Sequence, residues 1–148
     1  MMSKTLTTAV LAAAVLALAA CAEVREKMPD WMPGSGATSV KLTGGEEVPP
    51  VNTSGSGSGS FRIAEDGTVS GSVKTEGVQG TMAHIHQGAK GQNGPVIIPL
   101  TKNGDTYTAP QGAKLTPAQL QAFKSGGLYV NVHSNAHKGG EVRGQLQP

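Results

Sequence analysis

Ser60-Phe61-Arg62-Ile63-Ala64-Glu65-Asp66-Gly67-Thr68-Val69-Ser70-Gly71-Ser72-Val73 decides the fold class. Successive side chains of an extended chain point to opposite sides, so Phe61 and Ile63 share one face and Ser60 and Arg62 the other. Glu65-Asp66-Gly67 supplies a tight turn, and Val69, Gly71 and Val73 return on the same period. The unit reads as a β-hairpin.

The same period extends outward. Val40 and Leu42 alternate with Lys41 and Thr43, predicting a strand that stops at Gly44-Gly45. Residues 46–60 read as a long loop, with Val48-Pro49-Pro50 followed by alternating Gly and Ser from Ser54 to Ser60. Further short strands are expected at 81–86, 96–101, 106–109, 128–133 and 141–146. Short, turn-punctuated runs of this kind argue for an all-β antiparallel sandwich or barrel. One helix interrupts them: Thr116 caps, Pro117 takes the first position, Gln119 closes a capping box, Leu120 and Phe123 give an apolar stripe, and Gly126-Gly127 stops it.

The N-terminus has a different logic. Lys4 begins a short positive region, an apolar run over residues 9–20 follows, and Leu18-Ala19-Ala20-Cys21 ends it. The run is too short for a spanning helix and has the layout of a signal peptide over residues 1–20. The last four residues resemble a lipobox, which implies acylation of Cys21 and membrane attachment through two or three acyl chains. An ordinary secretory signal is the alternative. Ala22 after the cysteine favours the outer membrane, facing the periplasm, over inner-membrane retention. Residues 21–37, with Pro29, Pro33, Gly34 and Gly36, read as a lipidated tether, and residues 38–148 as one domain.

Composition excludes several roles. Loss of residues 1–20 removes Lys4 and lowers the formal charge of +2 by one. The five aromatics are scattered, so a nucleic-acid partner has no electrostatic footprint. Cys21 is the single cysteine, which excludes an internal disulfide and a second thiol for nucleophilic catalysis. Ser56 and Ser58 satisfy a Gly-x-Ser-x-Gly pattern only inside the Gly/Ser run, without a strand–turn–helix context. Glu46-Glu47 has no sequence partner for acid/base work.

All four histidines fall in two clusters: His84 and His86 in Met82-Ala83-His84-Ile85-His86, and His133 and His137 in Val132-His133-Ser134-Asn135-Ala136-His137. Residues two apart on a strand share a face, roughly 6.5–7 Å between Cα atoms, so two imidazoles can lean onto one ion while Ile85 faces the core. His133 closes a second β run and could bring a third imidazole from a neighbouring strand. Met82 shares the face of His84 and His86 by parity; it is either a core residue or a thioether ligand. His137 is a solvated loop residue or a further ligand. Metal-free structural histidines are the competing reading.

Several stretches together resemble the CHRD domain. They are Leu42-Thr43-Gly44-Gly45-Glu46-Glu47-Val48-Pro49-Pro50, Ala83-His84-Ile85-His86-Gln87-Gly88, Asn93-Gly94-Pro95-Val96, Leu115-Thr116-Pro117-Ala118-Gln119-Leu120, Leu128-Tyr129-Val130-Asn131-Val132-His133 and Gly140-Glu141-Val142-Arg143-Gly144-Gln145-Leu146. More distantly, the His84-Ile85-His86 strand, Val132-His133 and Arg143 are similar to the copper half of Cu/Zn superoxide dismutase. That resemblance implies an antiparallel Greek-key β-sandwich with one short helix. It also implies copper ligation by His84, His86 and His133, and an anion-guiding role for Arg143. No histidine lies between His86 and His133, so the bridging and zinc-loop ligands have no counterparts. Three functions follow as expectations: an envelope lipoprotein that binds or buffers copper, as Cu(I) or Cu(II), with zinc as the other candidate; a copper-only dismutase; or a metal-free surface interaction module.

Overall fold

The computed structural model describes residues 36–148. The expected signal peptide, Cys21 and nearly all of the tether lie outside the described residues. Alternating sequence gives alternating structure: β1 (Ala37–Thr43), β2 (Ser56–Ile63), β3 (Val69–Glu76), β4 (Gly80–Gln87), β5 (Val96–Pro99), β6 (Thr101–Asn103), β7 (Thr106–Thr108), β8 (Leu128–Ser134) and β9 (Val142–Leu146). They pair antiparallel in one sheet of order β5-β4-β8-β9-β1-β2-β3-β7-β6. The expected all-β antiparallel class with one short helix holds, and the strands form a single continuous sheet.

That sheet nearly closes on itself. β5 and β6 are the two halves of one extended stretch interrupted at Leu100, whose N–H donates to the Ala83 carbonyl at 2.9 Å. The first half pairs with β4 and the second with β7, so both ends of the strand order meet in the same segment. Closure leaves few free edges, which protects a β protein from pairing with other chains.

Leu42, Phe61, Val73, Ile85, Tyr107, Leu128, Val130, Val132, Val142 and Leu146 fill the interior, each essentially sealed from water. A fully buried side chain of this size is worth roughly 1.5–3 kcal/mol, and no disulfide is available to add to it. Helix α1 (Pro117–Lys124) has the cap its sequence requires: Thr116 Oγ1 accepts from the Gln119 N–H, and Gln119 Oε1 accepts from the Thr116 N–H at 2.8 Å. Phe123 ties it to the core.

One expectation is corrected. The Gly/Ser run is not all loop: Ser56–Ile63 is strand, paired with β3 along its whole length and with β1 from Ser56 to Arg62. Serines face out, while Gly57 and Gly59 stand opposite Leu42 and Val40. A Cβ on Gly59 would lie 2.0 Å from the Ser72 carbonyl oxygen. The alternation is therefore a strand period with glycine at its inward positions, and at Gly59 the neighbouring backbone leaves no room for a side chain.

Candidate metal centre

β8 is the strand that organises the site. Leu128, Val130 and Val132 point inward, which sends Tyr129, Asn131 and His133 to the outer face. The register then builds rows across three strands. Met82 lies opposite His133; His84 opposite Asn131, itself opposite Arg143; His86 opposite Tyr129, itself opposite Gln145. Residues 88–95 cover part of this face. Gly88 is held by Gln145 Nε2 on its carbonyl at 2.8 Å, and Asn93 Nδ2 reaches the Val48 carbonyl at 2.8 Å.

The ring nitrogens offered by His84, His86 and His133 lie within 4.8 Å of one another, so the three could hold one metal ion. Bonds of about 2.0 Å to one ion place donor nitrogens roughly 3.3–3.6 Å apart, so only small rotations are needed. Hydrogen bonding fixes which atoms are free. A carbonyl can only accept, so His86 Nδ1 carries the proton it shares with the Gly94 carbonyl at 2.9 Å. His133 Nδ1 likewise donates to the Lys138 carbonyl at 2.8 Å. Each therefore keeps its Nε2 lone pair, the arrangement in which outer partners orient metal-binding imidazoles. His86 Nε2 is buried without a hydrogen-bond partner. His84 Nδ1 faces His133 Nε2 at 3.1 Å.

Burial and neighbouring charge favour the neutral forms of His84 and His86. Burial, then the neighbouring His133 and His86, pull His84 below the usual imidazole range. Burial does the same to His86, opposed in part by the Gly94 carbonyl and by the Asn131 side chain. A neutral imidazole is the form that ligates a metal.

The other expected residues fall as follows. Met82 is 51% exposed at the rim, so its reading as a core residue does not hold. His137 sits in the β8–β9 turn, where its N–H donates to Ser134 Oγ at 3.1 Å, and it is not one of the three clustered rings. Arg143 is 1% exposed. Its guanidinium lies 3.4 Å from the Tyr129 ring centroid and donates to the carbonyls of Ala89 and Gln92, at 3.2 and 2.8 Å. It is engaged with a loop, and no open face is presented to an incoming anion. Cys21 lies outside the described residues.

Three residues at the site escaped the sequence reading. Tyr129 stacks on His86 with centroids 4.7 Å apart and planes 4° from parallel. Asn131 lies between His86 and Glu47, and Glu47 is 4% exposed with Oε1 unpartnered. Burial pushes the Glu47 carboxyl up to about 7, against the pull of Arg143 and Asn131. Parity with His133 pointed to Tyr129 and Asn131. Nothing local pointed to Glu47, which reaches the site only through the fold.

The model of the family described as CHRD domain matches residues 38–146, from the first strand through the last. Neither a curated protein nor a solved structure matches this chain. The match spans every strand that carries a site residue, and the chain belongs to the CHRD domain family.

Proposed function

We propose that this protein is an envelope lipoprotein that binds copper through His84, His86 and His133. The observation that carries the reading is the buried, unpartnered Nε2 of His86 beside two further convergent imidazole nitrogens. An orphaned buried polar atom is costly, and a ligand that accepts its lone pair removes the cost. The donor chemistry selects the ion. Three imidazoles with no carboxylate or thiolate in the group suit copper or zinc and not calcium or magnesium, and the affinity order places Cu(II) above Zn(II). Met82 stands opposite His133 at the rim, and a thioether turned toward the ion would favour Cu(I) further. Anchoring through Cys21 would hold the site at the outer membrane, facing the periplasm.

Binding and buffering are preferred over dismutation because Arg143 is buried and occupied. Calorimetric titration of the purified chain with Cu(II), Cu(I) and Zn(II) tests the reading. We expect one ion per chain and copper bound more tightly than zinc. Binding of unchanged strength in the His84→Ala/His133→Ala double variant contradicts it. A Cys21→Ser variant, expected to leave the membrane fraction, tests the anchor separately.

A further inference from the structure

Arg143, Tyr129 and His86 form a stack of three flat groups. The guanidinium lies over one face of the tyrosine, and the imidazole lies parallel to the same ring. Guanidinium and imidazole come from different strands, β9 and β4, with Tyr129 of β8 in register with His86. This pattern is costly to assemble by chance, because it buries a full positive charge at the edge of an apolar barrel.

The charge is solvated by loop carbonyls, and it also acts on the buried Glu47 carboxyl. Arg143 Nη2 donates to the carbonyls of Ala89 and Gln92, and Nη1 reaches Asn93 Oδ1 at 3.4 Å. Gln92 and Asn93 immediately precede Gly94, and Ala89 lies in the same loop. The Gly94 N–H donates to the Tyr129 hydroxyl at 3.1 Å, and the Gly94 carbonyl receives the His86 Nδ1 proton. A continuous chain of contacts therefore runs from Arg143 through the loop and the tyrosine to the protonation pattern of one imidazole.

We propose that Arg143 and Tyr129 are positioning residues of the three-histidine site, fixing the Gly94 carbonyl and the His86 ring so that His86 presents Nε2. The inference rests on the metal-binding reading for its purpose, but its structural content can be tested without metal. An imidazole with no fixed partner exchanges its proton between the two nitrogens. A ring held by one carbonyl does not, and loss of such an outer partner commonly costs ten- to hundredfold in metal affinity.

The test uses the 15N-labelled chain without metal at pH 8, where the imidazoles are neutral, with ring-nitrogen NMR shifts as the readout. In the wild type, His86 should show a protonated Nδ1 and a bare Nε2. Tyr129→Phe keeps the stack and removes the hydroxyl at Gly94. Arg143→Lys keeps the charge and removes the flat fork. Both should give a mixed His86 tautomer and a Zn(II) affinity weaker by about tenfold or more. His133, held by Lys138, should keep its pattern in both and serves as the internal control. If Arg143→Lys loses its fold, Tyr129→Phe decides alone. A His86 tautomer unchanged in the folded variants overturns the proposal. If the wild type binds no metal while the His86 tautomer responds, the positioning role stands and the metal-binding reading falls.

Discussion

His84 Nδ1 lies 3.1 Å from His133 Nε2, across the β4–β8 pair. The His133 proton is committed to the Lys138 carbonyl, so between neutral rings the shared proton belongs to His84. A metal held between His84 Nδ1 and His133 Nε2 would displace that hydrogen bond and move the His84 proton to its Nε2.

Protons and a metal compete for the same imidazole nitrogens. Burial holds His84 and His86 below the usual 6.5 in the fold, so these two rings yield to protons only at lower pH than free imidazoles do. Affinity should hold from pH 8 to about 7 and fall as pH drops further, most steeply through the lowered values. The same shifts govern stability without metal. The unfolded chain takes up these protons first, so the contribution is full above about 6.5 and is lost as pH falls. Competition titrations and denaturant melts between pH 8 and 5 check both; affinity that declines between pH 8 and 7 contradicts the shift.

Metal should stabilise the fold only through the three rings. At a free concentration one hundred times the dissociation constant, a single site adds about 2.7 kcal/mol. Chemical denaturation with and without Zn(II) should show that gain in the wild type and in His137→Ala, and none in His133→Ala. An equal gain in His133→Ala places the ion elsewhere.

Glu47 contributes with the opposite sign. Its carboxyl is raised from 4.5 to about 7, chiefly by burial, so the fold holds a proton that the unfolded chain has released. Its contribution is fully present below about 4.5 and disappears as pH rises through about 7. Glu47→Gln should therefore become progressively more stable than the wild type from pH 5 to 8. A stability difference that does not change with pH removes Glu47 as a buried titrating group.

Gly140 should be intolerant where its neighbour is not. It has φ +126°, and a Cβ would meet Glu47 Oε1 at 2.4 Å and Asn131 Nδ2 at 2.6 Å. Gly140→Ala should cost roughly 1–3 kcal/mol through backbone strain and crowding. Gly139 has nothing within 4 Å, so Gly139→Ala should be close to neutral. Thermal melts of the two variants separate these outcomes.

Much of this was readable from side-chain period alone. The Phe61–Val73 hairpin, the Thr116 cap and the His84–Ile85–His86 alternation are local patterns, and the fold keeps each. β2 was legible only in part, because Gly57 and Gly59 occupy inward positions without apolar side chains to mark them. Arg143 was legible as a site residue but not in its orientation, which depends on carbonyls some fifty residues away in the chain. Glu47 was invisible for the same reason: its burial is a property of Gly140 and Asn131 packing on it.

The most direct test of the central claim is ring-nitrogen NMR of the 15N-labelled chain during titration with a diamagnetic ion, Zn(II) or Cu(I). His84, His86 and His133 should shift together and saturate at one ion per chain, with His84 exchanging its Nδ1 proton for a metal bond and His137 unmoved. Shifts confined to His137, or a cluster unmoved at saturating metal, would contradict it.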